Sequence, residues 1–184
     1  MPALLLLRHG KSDWNAAGGD DRRRPLADRG RRAARTMGRL LATGGQVPDS
    51  VVTSPATRAT ETLGLAMEGG GWSCEVSERE DLYGGGVPGL LREIRRQPSS
   101  TELLLVVGHE PTSSETASLL IGGGRVRMPT GALARIDFDA DVTTWAGVGP
   151  GTGSLSWLLV PRLFPADADD QGLGLLGIEA PERM

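Results

Sequence analysis

The sequence is poor in the residues that disulfide, thiolate-metal and membrane chemistry require. A single cysteine, Cys74, stands among 184 residues. That excludes an internal disulfide and a cysteine-built zinc site, and a lone thiol of this kind reads as a small buried or half-buried side chain. No apolar run approaches the ~20 residues of a membrane-spanning helix. The N-terminal apolar stretch is only Ala3–Leu7, with no basic segment before it and no cleavage-site pattern after it. No signal peptide is therefore expected, and a cytoplasmic address is. The formal net charge is −3, so neither a nucleic-acid nor a membrane partner is expected. No internal repeat is visible. Histidine is nearly as scarce as cysteine: His9 and His109 are the only two.

What is present is an ordinary globular composition, 39% hydrophobic and 23% charged, on a length that suits one domain with a real core. That domain is expected over residues 1–163. The segment 164–184, with DADD and scattered glycines, is expected as a tail draped over the surface or partly mobile; its LGLLGI could instead pack on the body or on a partner. Basic residues crowd one region, with Arg22, Arg23, Arg24, Arg29, Arg31, Arg32, Arg35 and Arg39 all within DDRRRPLADRGRRAARTMGRL. Most read as a solvated helix face plus a loop. The other reading is a basic rim that attracts an anionic substrate or an acidic partner.

Strand and helix signals alternate. Ala3–Leu7 reads as a buried strand. Asp28 is placed to cap a helix over Arg29–Leu41, with Ala33, Ala34, Met37, Leu40 and Leu41 on one face. Ser50–Thr53 reads as a strand, and Ser54-Pro55 as an N-cap and first helical residue. Ala59, Leu63, Ala66 and Met67 form that helix's inner stripe. WSCEVSE reads as a third strand, Pro88–Arg96 as a helix, and Glu102–Gly108 as a second continuous apolar strand. Pro111 opens a helix carrying Ala117, Leu120 and Ile121. ALARIDFD and SLSWLLV alternate as strands. Such an order implies an α/β fold with a mostly parallel sheet covered on both faces, to which the β-rich end can add antiparallel strands.

Ligands of such sheets bind beyond the carboxyl ends of the strands. The first strand is followed by Arg8-His9-Gly10, the second by SPATR, which puts Arg58 early in a helix, and the Glu102–Gly108 strand by GHEP with His109. Each residue alone has a bland structural reading. Together, two arginines and two histidines on one sheet edge would repel unless an anion sits among them. Guanidinium forks and helix N-termini both suit phosphate oxygens. Arginines beside the histidines oppose a divalent cation, so no metal and no cofactor are expected. Gly10 lets the backbone approach closely at the turn.

The segments LLRHGKSDWN, RPLADRG, VVTSPATRATET and LLVVGHEP, in this order, resemble the histidine phosphatase superfamily, the phosphoglycerate mutase-like fold. The short length and the KSDW…RPL…RG spacing are similar to its bacterial phosphohistidine phosphatase (SixA-type) branch. The resemblance implies a three-layer α/β/α sandwich with one antiparallel strand. It implies His9 as the nucleophile that carries a transient phosphoryl group, Arg8 and Arg58 as ligands of its oxygens, and His109 as the second histidine of the pocket. Asn15 matches a polar residue that contacts the phosphoryl group in the mutase branch. Arg24, in RPL, is a candidate for the pocket rim, with a structural loop arginine as the other reading. The chemistry agrees: neighbouring cations keep the His9 ring neutral, and fixed cations stabilise a transferring phosphoryl group. A backbone carbonyl is expected to fix the His9 tautomer.

The general acid departs from the family pattern. Glu110, Glu80 and Asp81 are the candidates, with Glu110 also suited to stabilising a helix N-terminus and the other two to plain loop roles. A phosphohistidine substrate needs an acid least, because a protonated imidazole leaves readily. With no long capping segment, the pocket is expected to be open, suiting a phosphorylated protein or a small phosphorylated substrate. A phosphohistidine phosphatase, a broad phosphomonoesterase and a low-turnover phosphate- or phosphoprotein-binding module all fit these residues. Oligomeric state has no signature in the sequence.

Overall fold

The computed structural model describes residues 1–16 and 18–164; the segment from 165 onward lies outside them. Six strands run β1 (Ala3–Arg8), β2 (Ser50–Thr53), β3 (Glu75–Glu78), β4 (Leu103–Gly108), β5 (Leu133–Phe138) and β6 (Gly153–Leu159), interleaved with helices α1 (Asp28–Thr43), α2 (Thr57–Gly70), α3 (Asp81–Gly84), α4 (Gly86–Arg95) and α5 (Thr112–Leu120). They form one sheet in the order β3-β2-β4-β1-β5-β6. The first four strands of that order are mutually parallel, and β5 alone runs against both neighbours. The expected α/β sandwich with one antiparallel strand is present.

The apolar strands are continuous because both faces are covered. Leu4 and Leu6 face Leu90, Ile94, Ala117 and Leu120 of α4 and α5. Leu5 and Leu7 face Met37, Leu41, Ala59 and Leu63 of α1 and α2. Alternation along β1 thus divides four leucines between two cores, each leucine at most 1% exposed. Burying each contributes about 2 kcal/mol. The edge strand β3 is mostly exposed. Cys74, just before it, is a free, half-buried thiol.

Element boundaries differ from expectation at the caps. Helix α1 begins at Asp28 itself, with Ala27 in the N-cap position and no side-chain cap; Asp28 instead places its charge in the first turn, where the helix dipole favours it. Helix α2 begins at Thr57 rather than Pro55. Ser54 Oγ accepts from Ala56 N–H at 3.3 Å and lies 2.7 Å from His109 Nε2. Asp81 is not a plain loop residue: it opens the short α3, and its carboxylate accepts from Arg92 at 2.8 Å.

Candidate active site

Strands β2, β4 and β1 are adjacent, so the three segments that follow them converge at one edge. The turn after β1 is held from every side. His9 N–H donates to Gly108 O at 3.1 Å, and Gly131 N–H donates to the carbonyls of Arg8 (3.1 Å) and His9 (3.0 Å). Gly10 N–H donates to Thr62 Oγ1 at 3.0 Å. A Cβ on Gly10 would lie 2.8 Å from Gly30 O, so glycine is required here for contact with α1.

His9 is 7% exposed. Its Nδ1 lies 2.7 Å from Gly10 O. A carbonyl only accepts, so Nδ1 carries the proton and Nε2 presents a lone pair. Burial, with smaller contributions from His109, Arg58 and Arg8, outweighs that hydrogen bond and lowers the His9 pKa to about 3. The His109 ring centroid is 5.1 Å away. Its Nε2 lies 2.7 Å from Ser54 Oγ, and burial together with Arg58 lowers its pKa to about 4. Both rings are neutral at pH 7. The Tyr83 ring meets His109 edge-on at 5.8 Å.

The cations are fixed as firmly. Arg8 Nη1 donates to Met128 O at 2.8 Å. The side chains of Arg58 and Arg24 are each only 7% exposed, and both grip Asp21, at 3.1 and 2.7 Å. Trp14 covers Arg24, its ring centroid 3.4 Å from the guanidinium carbon. Five buried nitrogens of this cluster have no hydrogen-bond partner: Arg8 Nε, Arg24 Nε and Nη1, Arg58 Nε and His109 Nδ1. Buried donors rarely stay unpaired, and guanidinium and imidazole N–H groups are the donors that an oxyanion suits.

The structure therefore brings together Arg8, His9, Gly10, Arg24, Arg58 and His109. Asn15 is on the exposed part of the loop, its backbone N–H on Asp13 Oδ1; no hydrogen bond joins its side chain to the cluster. The three candidate acids are all engaged. Glu80 pairs with Arg22, Asp81 with Arg92, and Glu110 Oε1 accepts from Ser114 N–H at the start of α5, while its charge supports Arg8. Ser54, Asp21, Thr62 and Tyr83 belong to the site and were not singled out from sequence. For Asp21 a signal exists, an acid three residues before the arginine of RPL. Among the described residues, no group of three His, Cys, Asp or Glu side chains could hold a metal ion, and no helix is long and apolar enough to cross a membrane. The arginine-rich region is mostly paired, Arg31 with Glu61 and Arg35 with Glu68. Arg29 and Arg32 instead line a groove with Lys11 and Arg162.

Comparison with known proteins agrees with this geometry. The family model for the histidine phosphatase superfamily (branch 1) matches residues 4–101. An uncharacterized protein of Mycobacterium tuberculosis is 36% identical over 166 residues, covering 85% of this chain and 100% of the relative. A solved structure from Nakamurella multipartitia, to which the name phosphohistidine phosphatase SixA has been assigned, superposes with a TM-score of 0.74 at 30% identity, covering 87% of this chain and 96% of that one. A 2,3-bisphosphoglycerate-dependent phosphoglycerate mutase of Leifsonia xyli is 44% identical over 70 residues, covering 36% of this chain and 27% of the mutase.

Proposed function

The chain belongs to branch 1 of the histidine phosphatase superfamily, and on that premise we propose that it is a phosphatase acting through His9 on phosphohistidine in proteins. The observation that carries the reading is His9 itself: a buried, neutral ring whose Nδ1 is tied to Gly10 O, which leaves Nε2 as the attacking atom. Nε2 bonds to phosphorus as the substrate's phosphorus–nitrogen bond breaks, and the substrate ring, already protonated on its other nitrogen, departs as neutral imidazole. Water then attacks the phosphorylated His9, releasing inorganic phosphate and restoring the neutral ring. Arg8, Arg58, Arg24 and His109 hold the phosphoryl oxygens throughout, and charge spread over those oxygens is what fixed donors stabilise. Asn15 lies on the loop that borders this set.

The leaving group follows from the acids. An alkoxide needs a poised proton donor, yet Glu80 and Asp81 pair with arginines, and Glu110 accepts from a backbone N–H while its charge supports Arg8. Imidazole needs none, which favours phosphohistidine over a phosphomonoester. The SixA name carried by the 30% identical structural neighbour points the same way.

A substrate panel decides between the readings. A histidine-phosphorylated protein is expected to be hydrolysed faster than p-nitrophenyl phosphate, sugar phosphates or nucleotides, and acid-labile phosphate should be trapped on His9. H9A should lose about 10⁴-fold in kcat with unchanged circular dichroism. Faster turnover of a small phosphomonoester would replace the proposed substrate class. Binding of inorganic phosphate without turnover of any substrate would make the chain a phosphate-binding module.

A further inference from the structure

Asp21 places a negative charge at the edge of a pocket built for an anion. Its Oδ1 accepts from Arg24 Nη2 at 2.7 Å, and its Oδ2 accepts from Arg58 Nη2 at 3.1 Å and from the Tyr83 hydroxyl at 3.1 Å. Its backbone carbonyl takes Arg58 Nη1 at 2.6 Å. Two arrangements are open to such a group: it can compete with the substrate for the arginines, or it can hold them from behind.

Burial separates the two. The Asp21 side chain is 49% exposed, while the two arginine side chains it grips are 7% exposed. The carboxylate therefore reaches the guanidinium groups from the solvent side. The nitrogens it leaves alone, Arg24 Nε and Nη1 and Arg58 Nε, are the buried, unpartnered ones. We propose that Asp21 is a positioning residue: it bridges the outer edges of Arg24 and Arg58 and so fixes their inner N–H groups for the substrate's phosphoryl oxygens. This deepens the phosphatase reading and rests on it. Two guanidinium groups beside a third, Arg8, would otherwise spread apart, and a bidentate fork binds only when it is held in register. Its backbone is well placed for the task, since Thr57 N–H donates to Arg22 O at 3.0 Å and ties this loop to the start of α2. Partial burial pushes the Asp21 carboxyl up, but Arg58, Tyr83 and Arg24 outweigh it and hold the group ionised. Asp21 thus keeps its grip at neutral pH and has no proton to give a leaving group.

The test uses the sign of an effect. Removing a negative charge from an anion site strengthens anion binding by simple Coulombic attraction. If Asp21 positions the arginines, D21A does the opposite. Calorimetric titration of the full chain with inorganic phosphate is expected to show binding at least about 10-fold weaker in D21A than in wild type, one hydrogen-bonded contact's worth. D21N, which keeps the shape and one accepting oxygen, should fall between them. The KM for p-nitrophenyl phosphate should rise more than kcat falls. Phosphate binding that is unchanged or tighter in D21A and D21N overturns the proposal, even if thermal stability drops, because a merely structural carboxylate would produce that pattern. If D21A does not fold, D21N decides by the same criterion. Failure of the phosphatase reading shows separately, as wild-type protein with no turnover and no labelled His9, and the phosphate titration does not depend on either.

Discussion

His9 and His109 are neighbours of one residue type, yet their hydrogen bonds assign them different parts in the proposed reaction. Gly10 O can only accept, so it fixes His9 as a nucleophile through Nε2. Ser54 Oγ takes the Nε2 side of His109 and also accepts from Ala56 N–H at 3.3 Å; in the proposed reaction its hydroxyl proton is donated to that nitrogen. His109 Nδ1 then carries the ring proton and can donate to a phosphoryl oxygen. S54A removes this constraint and should lower kcat/KM about 10-fold, the worth of one oriented hydrogen bond, with His9 labelling still detectable. Steady-state kinetics checks it; an S54A enzyme with wild-type kcat/KM would show that His109 needs no such partner. The site residues differ in how visible they are in the sequence for one physical reason. His9 and His109 directly follow strands, Arg8 ends one and Arg58 lies in the first turn of the helix after another, so a local signal marks them. Ser54 also follows a strand, but Ser-Pro suits a helix cap so well that the cap reading hides its role. Asp21 meets Arg58 across 37 residues of sequence, and Tyr83 meets Asp21 across 62. Such pairings are set by tertiary approach and leave no periodicity to read; only the Asp21–Arg24 pair, three residues apart, is local.

Among the helices, the long ones are legible in the sequence and the shortest is not. Apolar runs and 3.6-residue stripes locate β1, β4, α1 and α2 because burial repeats along them. DLYG, which forms α3, is four residues long and has no repeat to show. Asp28 and Ser54 suit N-caps in general, whereas the observed N-cap residues of α1 and α2 are alanines in extended conformation without side-chain bonds. Composition along α1 and α2 carries a further message. The helices cross where Gly38 meets Ala66: a Cβ on Gly38 would lie 1.8 Å from Ala66 O. One on Gly69 would lie 2.5 Å from Arg35 O. No rotamer relieves a clash with backbone, so the helices must separate to admit a methyl group. G38A should therefore destabilise the protein by about 2 kcal/mol or more despite alanine's better helix propensity, a fall in Tm of roughly 4–8 °C for a domain of this size. Thermal unfolding followed by circular dichroism measures it. Since α2 carries Arg58 on its first turn, kcat/KM should fall as well at temperatures below the transition. A G38A protein as stable as wild type would mean that the two helices do not approach this closely.

At the scale of the whole molecule, the neutral histidines make the fold itself sensitive to acid. In the unfolded chain both rings titrate near 6.5. In the fold, burial holds His9 near 3 and His109 near 4. Below pH 6.5 the unfolded state therefore binds protons that the native state refuses, and stability falls with falling pH. Each histidine that is protonated only when unfolded contributes about 1.4 kcal/mol per pH unit. Two give roughly twice that slope between pH 6 and 4, and above pH 7 they give none. The loss saturates for each ring once its folded pKa is reached. Asp21, Asp81 and Asp137, whose carboxyls are held below their usual range, add their losses only at the acid end of this window, as each is protonated. The catalytic and structural consequences separate in pH. His9 is already unprotonated at pH 5, so the acid limb of kcat/KM for the folded enzyme should not fall near 6.5, where a solvent-exposed histidine nucleophile would put it. Stability should fall first. Urea unfolding at pH 7.5, 6.0, 5.0 and 4.5 tests this directly, with H9N as the control: one ring fewer should reduce the slope by about half. An H9N protein with the wild-type slope would mean that His9 takes up its proton in the fold as readily as in water, and that burial does not hold the ring neutral.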